Sequence, residues 1–439
     1  MRVAFVLGTT SGGTGRHVRM LVEGLVGRGH RVVVVGPGSV EERFSFGGAG
    51  ARFVEVSLSD RPHPVNDLRA VLAIRRVTKD ADVVHAHGLR AGALAGLGLW
   101  GRVTGRTRVD EESGATGWTP ENERSGATGW TLGEERSGAT GWTLGDERSG
   151  ATGRTSGDER SRASGRTSGD ERSGVGAAVP FGAKGRVPLV VTLHNALTAG
   201  GLIGVVYGGL ERVVARRADQ VLVVSPDLGE RMKALGAREV RPAVVPAPVP
   251  RAARRSPQEV RAELEAGGRP IVLTVGRLAQ QKGYETLLDA ARGSWPGETP
   301  LFAVAGEGPL RGELQRRIEA EALPVVLLGN RDDVPDLLAA ATVVVWASRW
   351  EGQPLSLSEA LMVGRPVIAT AVGGVPDLVA GAGILVPYGD AAALRAAVQE
   401  VVGDDVEAAR LAAAAARRGA ELPDAEDAIE SVLNVYARS

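Results

Sequence analysis

Residues 348–376 read S-R-W-E-G-Q-P-L-S-L-S-E-A-L-M-V-G-R-P-V-I-A-T-A-V-G-G-V-P, and the second half of the chain is interpreted around them. They follow an apolar segment, 342–346, which is typical of a buried strand. Helical spacing of apolar residues begins after Pro354, which suits the first turn of a helix. The pattern therefore predicts a strand, a loop and a helix of an α/β sheet. Glu351 is expected in the loop, and Glu359 in the early turns of the helix.

Two interpretations of these carboxylates stay open from the residues alone. Open α/β sheets bind ligands at the carboxyl ends of their strands, so Glu351 and Glu359 would line a binding site. The free N–H groups of the helix start would then face an anion. In the alternative, Ser356 and Glu359 form an S-x-x-E capping box, and Glu351 is a solvated loop residue.

The composition narrows the class of protein. The chain has 439 residues, of which 43% are hydrophobic, and this length suggests two or three domains. The formal net charge is zero, which argues against a nucleic-acid-binding protein. The chain has no cysteine, so disulfides and thiolate metal sites are excluded.

The sequence predicts a cytoplasmic protein. No apolar run reaches the roughly 18 residues of a membrane span. Residues 2–8 are too short for the apolar part of a signal peptide and are predicted to form a strand. Arg16, Arg19 and the arginines between 212 and 217 are candidate contacts for the inner face of an anionic membrane.

The first half repeats strand–helix units, and its strands are continuous apolar runs typical of a parallel sheet buried on both faces. The first strand leads into a Gly-rich turn at 8–15 and then into a helix. The turn lacks the G-x-G-x-x-G spacing, so a dinucleotide site is not favoured. Gly12 and Gly13 either form a plain turn or allow a substrate to approach the backbone.

Histidines cluster at the predicted ligand edge of this sheet. All six precede residue 195, and His87 and His194 each close a predicted strand. His17 lies just beyond the Gly-rich turn. Structural and functional roles are both open for the three residues. Metal binding by His85 and His87 has no third ligand at suitable spacing to support it.

Residues 104–186 differ from the rest of the chain. The unit E-R-S-G-A-T-G-W-T-L-G-[ED] recurs every 12 residues and places Trp118, Trp130 and Trp142 in one slot. The segment is rich in Gly, Ser, Thr and charged residues, so it is predicted to be a disordered insertion. A β-solenoid or a carbohydrate-binding repeat is the alternative.

The second half contains a basic loop, G-R-L-A-Q-Q-K-G, at 276–283. It follows a predicted strand and enters a helix. Arg277 and Lys282, together with backbone N–H groups, suit a diphosphate. The chain has only four lysines (Lys79, Lys184, Lys233 and Lys282), which makes Lys282 in this position informative. The alternative is a solvated basic loop.

Several ordered motifs then resemble one family, the retaining glycosyltransferases of the GT-B fold known as family 4. In the second half these are the basic loop, G-E-G-P-L-R-G-E-L, E-G-Q-P-L-S-L-S-E-A-L-M and V-G-G-V-P-D-L-V. In the first half they are G-G-T-G-R-H-V-R-M-L, H-A-H, T-L-H-N and R-R-A-D-Q-V-L-V-V-S-P. The resemblance covers nearly everything except the repeats.

The resemblance implies an α/β protein with two Rossmann-like, doubly wound domains that face each other across a cleft. Residues 1–103 and 187–250 would form the acceptor domain, interrupted by the repeats. Residues 251–422 would form the nucleotide-sugar-binding domain. Residues 423–439 would be a helix that packs back on the first domain.

The resemblance also implies roles for individual residues. Arg277 and Lys282 would neutralise the leaving diphosphate in place of a metal ion. Glu359 would bind the ribose, and Glu351 the hydroxyls of the donor sugar. His194 would lie at the reacting centre. The remaining donor-side candidates are Gly12, Gly13, Gly276, Asn330, Arg331, Gly352 and Leu355, and the acceptor-side candidates are His17 and His87.

The implied reaction is metal-independent transfer of a sugar, with retention, from a nucleotide-diphosphate sugar to a lipid, saccharide or small molecule. The nucleotide sugar is a co-substrate, and no cofactor is expected. A sugar-nucleotide 2-epimerase and a non-catalytic nucleotide-sugar-binding scaffold are the alternative functions.

Overall fold

A computed structural model describes residues 1–10, 12–58, 63–100, 186–196, 201–249 and 251–439. The repeats predicted to be disordered between 104 and 186 lie outside the described residues, except for Arg186. That prediction therefore stays a prediction.

The first sheet is parallel throughout and contains seven strands within the described residues. The strands are β1 (Arg2–Leu7), β2 (Arg31–Gly36), β3 (Arg52–Glu55), β4 (Val83–His87), β5 (Leu189–Leu193), β6 (Gln220–Val223) and β7 (Val240–Pro242). Their spatial order is β3-β2-β1-β4-β5-β6-β7. The helices of this half are α1 (Gly13–Gly27), α2 (Gly38–Phe44), α3 (Pro64–Val77), α4 (Leu89–Gly98), α5 (Gly201–Arg217) and α6 (Pro226–Ala234).

The second sheet repeats this arrangement with six parallel strands in the order β10-β9-β8-β11-β12-β13. They are β8 (Ile271–Val275), β9 (Leu301–Ala305), β10 (Val325–Gly329), β11 (Val343–Trp346), β12 (Val367–Thr370) and β13 (Ile384–Val386). The helices are α7 (Pro257–Glu263), α8 (Tyr284–Ala291), α9 (Arg311–Ala320), α10 (Val334–Ala340), α11 (Leu355–Met362), α12 (Val375–Val379), α13 (Ala391–Gly403), α14 (Asp405–Ala420) and α15 (Ala425–Arg438).

The strands are apolar throughout because helices cover both faces of each sheet, so every residue of a central strand faces a buried layer. Every residue of β5 and of β9 is buried. In each sheet the strand order reverses beside the first strand, between β1 and β4 and between β8 and β11. A ligand crevice opens at the carboxyl edge of such a reversal. The predicted doubly wound α/β architecture is therefore confirmed.

The chain passes between the two domains twice, and the two passages are bonded to each other. The backbone N–H of Ala247 donates to the Pro423 carbonyl at 2.8 Å. The first passage also docks on the second domain, where the Arg254 N–H donates to Asp336 Oδ1 at 2.6 Å. It ends at α7, which opens with a capping box of Ser256 and Glu259.

Helix α15 packs on the first domain although it ends the chain. Ile429, Val432 and Tyr436 are buried in one cluster with the apolar face of α1. The close approach needs a glycine on α1, since a Cβ on Gly24 would lie 2.1 Å from Ile429 Cδ1. Among the helices described, none combines the length and the apolar character needed to cross a lipid bilayer.

Substitution of Ile429 by Ala should destabilise the protein, because this side chain is only 5% exposed and its loss leaves a cavity beneath α15. The expected decrease in the free energy of unfolding is about 2 to 5 kcal/mol. Denaturant unfolding measures it. The exposed neighbour Glu430→Ala is the control and should change the free energy by less than about 0.5 kcal/mol. Equal effects of the two variants would contradict the packing described for α15.

Candidate active site

The loop between β8 and α8 holds Lys282 at the end of a short 3₁₀ turn, Gln280–Lys282. Gly283 follows with φ of +61°, and a Cβ there would lie 2.0 Å from the Ala347 carbonyl oxygen. Only glycine allows this approach to the end of β11. As a result, Lys282 Nζ donates to Glu351 Oε1 at 2.5 Å.

Glu351 is fixed in the loop after β11 and is only 5% exposed. Ser348 Oγ donates to its Oε1 at 2.6 Å, and the Gly374 N–H donates to its backbone carbonyl at 3.0 Å. Gly373 makes room for that carbonyl, because a Cβ there would lie 1.9 Å from the oxygen. A buried carboxylate with these partners is a built part of the site, so the solvated-loop interpretation is wrong.

The capping-box alternative is also wrong. Helix α11 begins at Leu355 with Pro354 at the N-cap, and no side chain caps it. Ser356 is already inside the helix, where its Oγ accepts from Trp346 Nε1 at 3.2 Å. Because the helix begins at Leu355, Ser356 lies two residues past the N-cap, the position from which its side chain would have to act in the box. The first N–H groups of α11 are therefore left without a side-chain acceptor, as an anion site requires.

Glu359 lies half-buried on α11 and faces cations from elsewhere in the chain. Burial raises its pKa above the ordinary value of 4.5, and the charges of Arg251 and Arg16 oppose this rise. Arg16 comes from α1 of the first domain. From the sequence alone, Arg16 is a candidate for a membrane patch. Its position within the G-G-T-G-R-H motif was the signal that could have assigned it to the cleft.

The starts of α1 and α11 face each other across the cleft. A Cβ on Gly13 would lie 3.6 Å from Leu355 Cδ1, and Gly12 is the N-cap of α1 without a side-chain acceptor. Both helices therefore direct their partly positive ends to one place. Gly352 closes the same region, since a Cβ there would lie 2.5 Å from Val224 Cγ2 and 3.2 Å from the His194 carbonyl oxygen.

Three imidazoles pack together at the carboxyl edge of the first sheet. His87 Nδ1 and His194 Nε2 share a hydrogen bond of 3.0 Å. The ring of His17 lies 5.8 Å from that of His87 and 5.7 Å from that of His194, measured between centroids. Two buried nitrogens, His17 Nδ1 and His87 Nε2, have no hydrogen-bond partner within the described residues. The structure thus brings the predicted histidines to one point.

These imidazoles are neutral at pH 7. Burial lowers the pKa of His17 from its ordinary value of 6.5 to about 4. Burial, aided by the charge of His17, lowers the pKa of His194 to about 3. A group with so low a pKa is a poor general base near pH 7. It can still orient a substrate by hydrogen bonding.

His85 belongs to the structure of the sheet. Its Nδ1 bonds to the Tyr436 hydroxyl at 2.7 Å, and its Nε2 bonds to Thr192 Oγ1 at 2.7 Å. Because both of its ring nitrogens are hydrogen-bonded, His85 has no free nitrogen to bind a metal ion together with His87. Across the described residues, no three His, Asp or Glu side chains are placed to hold a metal ion.

The other predicted site residues differ in their surroundings. Arg277 is exposed beyond the end of β8, and the Gly276 carbonyl accepts from the Tyr284 hydroxyl at 2.9 Å. Asn330 is exposed after β10. Arg331 is held in ion pairs, with Asp333 at 2.6 Å and Glu263 at 2.6 Å. The ion pairs direct Arg331 towards α7 and the start of α10.

The arginines proposed for a membrane surface are partly engaged as well. Arg19 donates to Glu23 Oε1 at 2.8 Å and to the Phe44 carbonyl. The guanidinium of Arg217 lies 4.2 Å from the ring centroid of Trp100.

The lowered pKa of His17 predicts a pH dependence of stability. The unfolded chain takes up the proton near pH 6.5, whereas folded His17 resists it down to about pH 4. The stabilisation is therefore present above pH 6.5 and is lost as the pH falls to 4, by about 3 kcal/mol. Unfolding titrations at several pH values should show a flatter profile for His17→Leu. The control is His63→Asn, which keeps a cap on α3, and it should follow the native profile. Identical profiles for native and His17→Leu protein would refute this assignment.

Comparison with known families agrees with this geometry. Residues 269–404 match the family described as glycosyl transferases group 1. Residues 12–132 and 170–248 match the glycosyl transferase 4-like domain. The two matches together cover most of the chain, the group 1 match falling on the half that holds the second sheet and the 4-like match on the half that holds the first sheet.

The similarity to two individual relatives covers less than half of each chain. The chain is 37% identical to the 2-deoxystreptamine N-acetyl-D-glucosaminyltransferase of Streptomyces fradiae over 38% of this chain and 42% of the relative. It is 33% identical to the alpha-D-kanosaminyltransferase of Streptomyces kanamyceticus over 37% of this chain and 44% of that protein. The chain thus matches less than half the length of either relative.

Solved structures share the whole fold. The Anabaena protein HepE, crystallised with UDP and glucose, superposes with a TM-score of 0.66 over 100% of both chains at 16% identity. The sucrose-phosphate synthase of Thermosynechococcus elongatus gives a TM-score of 0.65 over 100% of this chain and 98% of its own, at 18% identity. With both domains matched by family and by fold, the chain belongs to the group 1 glycosyltransferases and has their GT-B fold.

Proposed function

We propose that this protein is a retaining glycosyltransferase that uses a nucleotide-diphosphate sugar bound between its two domains. The observation that carries the proposal is the ion pair of Lys282 and Glu351, at 2.5 Å, beside the uncapped start of α11. This pair brings an ammonium group and a buried carboxylate to one point of the cleft.

The donor fits this arrangement by charge. Its diphosphate would lie between the starts of α1 and α11, next to Lys282 and Arg277. Lys282 would exchange Glu351 for a phosphate oxygen, because a doubly charged diphosphate attracts the ammonium more strongly. Glu351 then accepts hydrogen bonds from the sugar hydroxyls, and Glu359 accepts them from the ribose. Such bonds to carboxylates are short and strong.

Transfer breaks the bond between the anomeric carbon and the phosphate oxygen and forms a bond from that carbon to an acceptor oxygen. The acceptor proton passes to the departing phosphate oxygen on the same face, which explains retention. Charge that develops on the leaving diphosphate is met by Lys282, Arg277 and the helix N–H groups. These cations take the place of a metal ion. Neutral His194 orients the reactants and does not act as the base.

The relatives suggest the first substrates to try. HepE is crystallised with UDP-glucose, and two relatives are named for N-acetylglucosaminyl and kanosaminyl transfer. UDP-glucose and UDP-N-acetylglucosamine are therefore the first donors, with 2-deoxystreptamine and simple saccharides as acceptors. The purified full-length protein should form a glycoside detected by mass spectrometry, and activity should persist in EDTA.

The configuration at the anomeric carbon decides the mechanism. Proton NMR of the product should show an α-glycoside from the α-configured donor. A β-glycoside would contradict retention. Conversion of the nucleotide sugar into its 2-epimer, without a glycoside, would contradict transfer.

Removal of the Lys282 ammonium should impair transfer, because the leaving diphosphate loses a cation that would neutralise its developing charge. Lys282→Ala is expected to lower kcat/KM by about a hundredfold to a thousandfold. Steady-state kinetics with a saturating acceptor measure this loss. Lys233→Ala, which removes an exposed lysine paired with Glu230 on α6, is the matched control and should retain native activity. Equal activity of the two variants would exclude Lys282 from the site.

The raised pKa of Glu359 predicts that donor affinity depends on pH. Its carboxylate accepts hydrogen bonds from the ribose more strongly when ionised, so affinity should decrease as the pH falls through this raised pKa. Calorimetric titration with a nucleoside diphosphate at several pH values measures the change. Glu359→Gln should bind more weakly at pH 7 and lose this pH dependence. A native pH profile in Glu359→Gln would show that another group is responsible.

A further inference from the structure

Trp350 lies in the second domain along the chain, but its side chain packs into the first domain. It lies in the loop after β11, next to Glu351. Its ring nevertheless joins the hydrophobic cluster of the first sheet, which includes Leu193, Val224 and Leu228. Only 8% of its surface is exposed. The side chain therefore crosses from one domain into the core of the other.

The indole is also bonded to the first domain. Its Nε1–H donates to Asp227 Oδ2 at 2.7 Å. Asp227 lies in the first turn of α6. The indole has a single polar group, and burial requires that this donor be paired. The bond thus gives the crossing side chain a defined orientation.

The backbone of Trp350 is joined to the loop that carries Lys282. Gln281 Nε2 donates to the Trp350 carbonyl at 2.9 Å. The Arg349 N–H donates to the Gln281 carbonyl at 2.8 Å. Any displacement of Trp350 therefore acts on both loops, and so on both members of the Lys282–Glu351 pair.

Glycines allow these loops to lie against the first domain. Gly352 contacts the Val224 side chain so closely that a Cβ would lie 2.5 Å from Cγ2. Gly374, from the V-G-G-V-P motif, approaches the Val224 carbonyl, and a Cβ would lie 2.7 Å from its oxygen. The two glycine motifs thus serve contact between the domains as well as any contact with the donor.

We propose that Trp350 is a positioning residue that holds the two domains together and keeps Lys282 and Glu351 opposite His194. It does not touch the reacting atoms in this role. The effect on turnover rests on the proposed function. The effect on the distance between the domains is independent of it, so the two can be tested separately.

The distance between the domains can be measured with spin labels attached to introduced cysteines. The chain has no cysteine of its own, so only the introduced positions are labelled. Spin labels at Glu230→Cys and Arg292→Cys, whose side chains are 75% and 65% exposed, report the distance between the domains. Trp350→Ala and Asp227→Ala should broaden the distance distribution of the ligand-free protein. Asp227→Asn keeps an acceptor oxygen and should restore the native width.

Trp295→Ala is the matched control for loss of an indole. Its Nε1–H donates to the Ala291 carbonyl within the second domain at 3.3 Å, so its loss should leave the distribution unchanged. Asp227 is exposed, so Asp227→Ala should fold. It therefore tests the same contact if Trp350→Ala does not fold. A native distribution in folded Trp350→Ala or in Asp227→Ala would overturn the proposal.

Kinetics separate positioning from a merely structural role. Trp350→Phe keeps a ring without the N–H and should lower kcat by about tenfold or more. The Kd for UDP should change less than kcat, because Glu359 and the start of α11 remain in the second domain, whereas transfer also needs the first domain in place. A parallel loss of UDP binding and kcat, tracking the folded fraction, would overturn the positioning role. If the native protein transfers no sugar, the proposed function fails, and the distance measurement alone decides the role of Trp350.

Discussion

The hydrogen-bonded ion pair between Lys282 Nζ and Glu351 Oε1, at 2.5 Å, is the contact on which the arrangement of the cleft depends. Its two members come from neighbouring strand–helix loops of the second sheet. A buried carboxylate is tolerated only when paired, so each loop needs the other. Glycine at 283 and at 373 lets the backbones approach closely enough for the pair to form. An anionic ligand would compete with Glu351 for the Lys282 ammonium, so its binding would break this pair.

The two sheets place this pair opposite the first domain. Each sheet reverses its strand order beside its first strand, and the helices that follow β1 and β11 start at the resulting crevices. The starts of α1 and α11 meet there, with Arg16 and the neutral imidazoles on one side and Glu359 on the other. Cationic charge, free N–H groups and two carboxylates suit a molecule that joins a diphosphate to two sugars. Trp350 ties the same loops to the first domain.

Much of this could be predicted because it is local. Continuous apolar runs predict the strands and place His194 at the end of one of them, and glycine-containing loops after other strands carry Lys282 and Glu351. Helix α2 was missed, since its seven residues follow Gly36 and Pro37 with no sustained periodicity. The capping box considered as an alternative at Ser356 does not form, because α11 begins at Leu355 and Ser356 lies past the N-cap.

The remaining features join residues far apart in the chain, and no local pattern encodes them. Arg16 approaches Glu359 only when α1 and α11 face each other. His85 meets Tyr436 across 351 residues, and Trp350 meets Asp227 across 123. Spacing alone does not show that the loops carrying Lys282, Glu351 and His194 lie close together. The resemblance to a known family predicts this proximity.

A crystal structure of the full-length protein with a bound nucleoside diphosphate tests the central claim most directly. The account predicts the diphosphate at the starts of α1 and α11, with Lys282 Nζ moved from Glu351 to a phosphate oxygen and the ribose hydroxyls on Glu359. A nucleotide bound elsewhere, or bound in the cleft with the Lys282–Glu351 pair intact and Glu359 unoccupied, would contradict it.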